Sequence, residues 1–388
     1  MKIFFWISFF TIIYSYGGYV FISLIILKLK PKRWVVSDKA YNFPTISLII
    51  AAYNEESIIE EKIKNSKALR YDPSKLEIIF VTDGSTDSSP DIVSRYPEIR
   101  LLHENKRSGK SAAVNRAVSL ANHEILVFCD ANTDLNPDAL LLIANHYEDP
   151  NVGGVSGEKK IKIAPNSAAS GGEGIYWKYE SFLKRMDSKL YSIVGAAGEL
   201  FSVRKSLYEF IEPDTILDDF IISLRINLKG YSIVYEPGAF AEETSSASIK
   251  EEKKRKVRIA AGAFQSMGRL GELWKVWKNP RLSFLFISHK VLRWTLCPVF
   301  ILTLFLSNLV IILDEGLALS SIYLYIFFLQ SIFYLLATIG WLQSNRPKAN
   351  KIFYIPYYFV FMNLSVFQGF LLFIRGKQSA VWDRSKRA

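Results

Sequence analysis

Apolar residues crowd the two ends of this sequence. Residues 3–27 carry no charge and are rich in Phe, Ile and Tyr. At 1.5 Å per residue they are long enough to cross a bilayer core of about 30 Å. Lys28, Lys30, Lys32 and Arg33 end the stretch. A signal peptide has a shorter apolar core and an A-x-A-like cleavage site, which is not seen, so a retained membrane helix is expected. Residues 294–313, 319–342 and 352–374 are three further stretches near or above the roughly 20 residues a spanning helix needs. Lys and Arg favour the cytoplasmic side, so the first basic cluster places the following chain inside. Asp314 and Glu315 suit an outer loop, and Arg346, Lys348 and Lys351 return to the inside. The tail breaks this alternation, because a crossing by 352–374 would put the basic residues from Arg375 to Arg387 outside. Either that stretch, which contains Pro356, is re-entrant or interfacial, or an upstream stretch splits in two.

The middle of the chain, from Pro44 to about Ser248, has a different pattern. Residues 45–51 (TISLIIA), 77–82 (EIIFVT) and 124–129 (EILVFC) read as strands buried on both faces. Between them lie helical patterns, one through Ile58 and Ile63 with Asn54 as a possible cap, and an Ala-rich one over 111–121. Strands alternating with helices imply a parallel sheet with right-handed crossovers. Polar residues gather just after each strand: Tyr53, Asn54 and Glu55; Asp83 to Asp87; Asp130, Ala131 and Asn132. Open sheets of this kind bind ligands at the carboxyl ends of their strands.

Composition narrows the classes. A chain that is 50% hydrophobic and 14% aromatic is not disordered, and two cysteines among 388 residues make no disulfide scaffold or cysteine metal cluster. The net charge of +11 falls at the membrane edges and around the strand-end clusters. That distribution speaks for membrane lipids and a phosphorylated ligand, and against nucleic acid. Asp83-Gly84-Ser85-Thr86-Asp87 would serve equally as a plain turn and helix start. Asp130 and Asn132, two apart, face one way in an extended segment and offer oxygens to a hard divalent cation. Lys110 reads as a solvated charge or as a contact to an anion. Gly195 to Leu200 is a small-residue loop that a bulky ligand can approach. Asp218-Asp219 opens an apolar stretch ending at Gly230. Paired acids fit a helix N-terminus, or a site in which one carboxyl is raised to act as general base.

Together, Ala51 to Glu55, Asp83 to Asp87, Ser108-Gly109-Lys110, Asp130-Ala131-Asn132, Gly195 to Glu199 and Asp218-Asp219-Phe220 resemble glycosyltransferase family 2. The likeness is to its membrane-embedded synthases of hyaluronan, chitin, poly-N-acetylglucosamine and cellulose type, over residues 44–294. It implies an α/β GT-A fold, Rossmann-like with a mostly parallel sheet, together with transmembrane α-helices. It further implies a nucleotide-sugar donor, UDP being the commonest, and inversion at the anomeric carbon. On this resemblance Ala52, Tyr53, Glu55 and Asp83 belong to the nucleotide site, with Lys110 near the phosphates. Asp130 and Asn132 match the D-x-D motif that positions the diphosphate with Mg²⁺ or Mn²⁺, although Asn replaces the second Asp. Asp219 matches the catalytic base with Asp218 beside it, and Gly198 and Glu199 match the acceptor-facing loop. The Q-x-x-R-W motif becomes Arg255 to Ile259, which keeps Arg258 for the leaving diphosphate but loses the aromatic residue. Trp382 and Arg384 suggest a lid-like element.

The expected plan is a membrane helix over 1–30, a catalytic domain over 44–250 and an amphipathic interfacial region over 251–283. A membrane block over 284–374 and a basic tail over 375–388 complete it. The expected activity is exopolysaccharide synthesis at the plasma membrane with a cytoplasmic catalytic domain. Transfer of one sugar to a lipid-linked acceptor is the alternative, and a catalytically silent export subunit is the third reading.

Overall fold

A computed structural model describes residues 1–29, 43–162, 169–246, 248–344 and 350–376. Lys30, Lys32, Arg33, Arg346, Lys348, Trp382 and Arg384, on which part of the orientation and lid expectations rest, lie outside the described residues.

Helix α1 (Lys2–Leu29) carries one π turn at Tyr14–Gly18. The catalytic domain follows with β1 (Ile46–Ala52), α2 (Ile59–Lys67), β2 (Leu76–Asp83), α3 (Ser89–Ser94), β3 (Arg100–Glu104), α4 (Lys110–Leu120), β4 (Ile125–Asp130) and β5 (Thr133–Leu135). It continues with α5 (Ala139–Asn145), β6 (Val152–Lys162), α6 (Ala169–Leu190), β7 (Leu200–Arg204), α7 (Asp218–Leu228) and β8 (Ser232–Thr244). Beyond it come α8 (Ile249–Arg269), α9 (Pro280–Phe286, extended through a π turn to Leu292–Trp294), α10 (Leu296–Glu315), α11 (Ile322–Leu342) and α12 (Lys351–Ile374).

The eight strands form one sheet in the order β3-β2-β1-β4-β7-β6-β8-β5. β1 pairs in parallel with β2 and β4, as the repeated strand–helix pattern predicts, and β2 pairs in parallel with β3. β7 runs antiparallel to both its neighbours, and β5 runs antiparallel to β8. The sheet is therefore mixed, with a parallel half that carries the strand-end clusters. All seven residues of β1 are buried. Its alternation sends Leu48 and Ile50 into one core and Ile49 and Ala51 into the other, which is why a continuous apolar run is required there.

On the membrane side, α1, α10, α11 and α12 are long and apolar enough to cross a bilayer. α1 and α10 meet through Lys2–Glu315 at one end and Ser8–Thr303 further along. Residues 296–315 and 322–342 are each one unbroken helix, so neither of these stretches splits, and α12 continues through Pro356. Asn308 donates to Gln330 across α10 and α11 at 3.0 Å, so these two polar residues serve helix packing. α12 lies against α11 and also along α8, where Gly369 leaves no room for a side chain over Ala260 and Ala261. A buried cluster locks α1 to the domain: the Tyr19 hydroxyl and His289 both bond Asp187, while Lys290 bonds Glu180. Burying these charges is tolerable because each faces a partner.

Candidate active site

Adjacent parallel strands bring distant motifs to one edge. In the sheet register Ala52 lies beside Thr82 and Ala51 beside Asp130, so the ends of β1, β2 and β4 form a single ledge. Tyr53 leaves that ledge with its ring 3.6 Å from the Arg107 guanidinium carbon. Asn54 adopts a positive φ of 53° and does not cap α2, which begins at Ile59. Its side chain instead accepts from the Thr86 amide at 2.8 Å, tying the first two strand-end loops together. The Glu55 amide donates to Ser89 Oγ in the same clamp. Asp83 is 1% exposed and accepts from the Ser108 and Gly109 amides, so its carboxylate fixes the loop that leads into Lys110.

Lys110, the first residue of α4, reaches back over the ledge. Its Nζ is 2.7 Å from Asp130 Oδ1 and 3.7 Å from Asp218 Oδ2. Asp218 and Asp219 open α7, and the loop before them is held from two sides. Ser111 donates to the Thr215 carbonyl, and Gln265 of α8 bonds both Asp214 and Ile216. Burial and the neighbouring Asp218 push Asp219 up to about 7, partly offset by Lys110. Gly198 abuts that carboxylate, since a Cβ there would lie 3.3 Å from Asp219 Oδ2. Gly195 has a φ of +86° and packs on the Phe220 ring, so the loop's conformation and closeness both require glycine there. Arg258 of α8 interacts with Asp218, Asp130 and Asp219, and burial lowers its pKa.

Asp130 and Asn132 part company. Asp130 faces Lys110, whereas the Asn132 amide nitrogen donates to Glu243 Oε1 at 3.2 Å, leaving its carbonyl oxygen for any cation. An aspartate at 132 would set two carboxylates against each other, which gives the departure from D-x-D a local cause. Glu243 belongs to a network that the motifs did not reveal. Lys159, fully shielded from solvent, bridges Glu199 and Glu243. Arg255 approaches Glu243 at 3.9 Å and pairs with Glu252, which also accepts from Tyr358 of α12. Burial pushes Glu199 up, but Lys159 outweighs it and holds the carboxyl at about 2. The weak signal was a lysine pair at 159–160 and a glutamate pair at 242–243, each inside a strand.

A cavity of about 250 Å³ opens between α1, α6, α9 and α12. Tyr16, Tyr176, Trp294 and Tyr358 give it aromatic walls, with Glu180 and Arg293 at its rim. The Trp294 ring of the cavity wall lies 5.4 Å from that of Phe220, the residue after Asp219.

A sheet with carboxylates at its parallel strand ends and a second acidic pair at a helix start defines a GT-A-fold glycosyltransferase. Residues 47–211 match the family model for glycosyl transferase family 2. Among its relatives, poly-beta-1,6-N-acetyl-D-glucosamine synthase of Staphylococcus epidermidis is 27% identical over 324 residues, 80% of this chain and 77% of that protein. The synthase of the same name from Staphylococcus aureus strain COL is 29% identical over 236 residues, 58% of this chain and 56% of that one. The fold is shared with the mannosyltransferase PcManGT of Pyrobaculum calidifontis, solved with GDP-Man and Mn²⁺. Its TM-score is 0.70 at 22% identity, covering 96% of this chain and 99% of that one. The chain is thus a glycosyltransferase with four helices able to span a membrane.

Proposed function

We propose that this enzyme extends a polysaccharide at the membrane by inverting transfer from a UDP-sugar, with the catalytic domain on the cytoplasmic side. The observation that carries this reading is the pairing, in one cluster, of the adjacent Asp218 and Asp219 carboxyls with a Lys110–Asp130 ion pair suited to a diphosphate. An acceptor hydroxyl is a poor nucleophile near neutral pH. Asp219, at about 7, takes its proton as the new glycosidic bond forms and the bond to the diphosphate breaks. Arg258 and Lys110 offset the charge that develops on the departing diphosphate. Tyr53 and the loop anchored by Asp83 receive the nucleotide, and Gly198 with Glu199 faces the acceptor.

A hard cation suits the oxygen donors of Asp130 and Asn132. No group of three His, Cys, Asp or Glu able to hold a metal occurs among the described residues. Asp130 is the residue that would hold Mg²⁺ or Mn²⁺, whose chemistry is to neutralise the leaving group. The synthase relatives make N-acetylglucosamine the first sugar to test. A second reading, one transfer to a lipid-linked acceptor, is favoured by the mainly apolar cavity at the level of the membrane helices.

Purified full-length protein given radiolabelled UDP-N-acetylglucosamine, other UDP-sugars or GDP-mannose tests these readings. Labelled chains many sugars long support synthesis. A single-sugar lipid product selects the second reading, and no turnover with any donor favours a silent subunit.

A further inference from the structure

Two carboxylates at the proposed diphosphate site already share one cation of the protein itself. Lys110 Nζ lies 2.7 Å from Asp130 Oδ1 and 3.7 Å from Asp218 Oδ2, and its side chain is three-quarters shielded from water. Asp218 is shielded further, to 10% exposure. The backbone beneath is rigid, because Asp83 clamps the Ser108 and Gly109 amides and Ser111 is tied to Thr215. Only the four-carbon stem of Lys110 is free to reorient, and an ammonium at its end is a compact, rotatable point charge.

A divalent cation and this ammonium group compete for the same oxygen of Asp130. We infer that Lys110 is an internal counter-ion: it blocks the binding of bare metal and yields Asp130 only when a diphosphate arrives to take up its charge. This rests on the reading of Asp130 as the residue facing a diphosphate-borne cation. It makes metal and nucleotide binding interdependent, since neither alone satisfies all three groups. Lys110 thus opposes one ligand and assists the other.

The two opposite signs give the test. With full-length protein in detergent, Mn²⁺ binding without nucleotide is followed by loss of the free-ion electron paramagnetic resonance signal. UDP binding at saturating Mg²⁺ is followed by calorimetry. Lys110→Met is expected to tighten bare Mn²⁺ binding at least tenfold and to weaken UDP binding at least tenfold. Lys110→Arg, which keeps the cation, is expected to leave bare Mn²⁺ binding near wild type. Lys110→Gln provides the same measurement should the methionine variant lose its thermal transition. Unchanged or weaker Mn²⁺ binding after removal of the ammonium group overturns the inference, as does a loss of both ligands together. Failure of the underlying reading looks different: Asp130→Ala would then leave magnesium-dependent UDP binding by the wild-type fold unaltered.

Discussion

Asp219 and Glu199 lie close enough for their charges to interact, yet their surroundings treat them in opposite ways. Both are removed from water, which favours the neutral acid. Asp219 has another carboxylate beside it and settles at about 7, whereas Glu199 has the ammonium of Lys159 and settles at about 2. Near neutral pH the first exchanges protons and the second is a fixed negative charge. Here the strongest neighbouring charge has opposite sign in the two cases, Asp218 beside Asp219 and Lys159 beside Glu199. The acid placed to accept a proton is the one whose neighbour carries the same sign.

The most severe way to break the contrast is to remove the proton acceptor. Asp219→Asn keeps size and shape but has no basic oxygen near neutrality. Its transfer rate is expected to fall by about 10²–10⁴, measured as initial rate at saturating donor. UDP affinity by calorimetry should stay within about twofold. A variant retaining more than a tenth of the wild-type rate would move the base elsewhere.

Removing Lys159 attacks the other side. Lys159→Met leaves Glu199 and Glu243 without the ammonium group that bridges them, in a place the lysine reaches with no exposed surface. Loss of one partner of a buried ion pair costs about 3–5 kcal/mol. A large drop in the thermal transition is expected, with partial recovery when Glu199→Gln is added. Equal melting of Lys159→Met and wild type would show that the network contributes nothing to the fold.

The halves of this molecule differed in how much their sequence disclosed. The parallel strands were legible because burial on both faces demands unbroken apolar runs, and the ledge followed from what stood after each run. α7 was legible from Asp218-Asp219 ahead of its apolar stretch. By contrast, Lys159, Glu243 and Arg255 meet only through β6, β8 and α8, and charged residues in a strand look like ordinary solvated positions. Asn54 misled because its capping chemistry was spent on Thr86 across the ledge. The aromatic missing at Ile259 drew attention to α8, while Trp294 lies against Phe220 from another helix. Chain spacing carries no trace of that contact.

The acidity contrast can also be sharpened without destroying either residue. The rate should rise as pH increases through about 7, because Asp219 acts only after losing its proton. Glu199, at about 2, remains ionised throughout that range and adds no second step. Asp218→Asn removes the like charge that raises Asp219, so the midpoint should move to lower pH by about one unit. A midpoint moving to higher pH would mean that Asp218 acts chiefly by holding Lys110 near Asp219.

The smallest expected effect tests whether closeness across the cleft matters by itself. Gly198→Ala adds one methyl group and no charge, and its Cβ would lie 3.3 Å from Asp219 Oδ2. That contact is tight, so the carboxylate must give by a few tenths of an ångström. Gly198 has no positive φ, so the substitution brings no backbone strain to confuse the result. A misplaced base lowers turnover while leaving ground-state donor contacts intact, because the proposed nucleotide site is built on the strand-end ledge by Tyr53 and the loop anchored by Asp83. The expected outcome is a three- to tenfold fall in kcat, roughly the penalty of a sub-ångström displacement, with donor KM nearly constant. A rise in donor KM at constant kcat would instead assign this loop to the nucleotide and leave the proton acceptor indifferent to its neighbour.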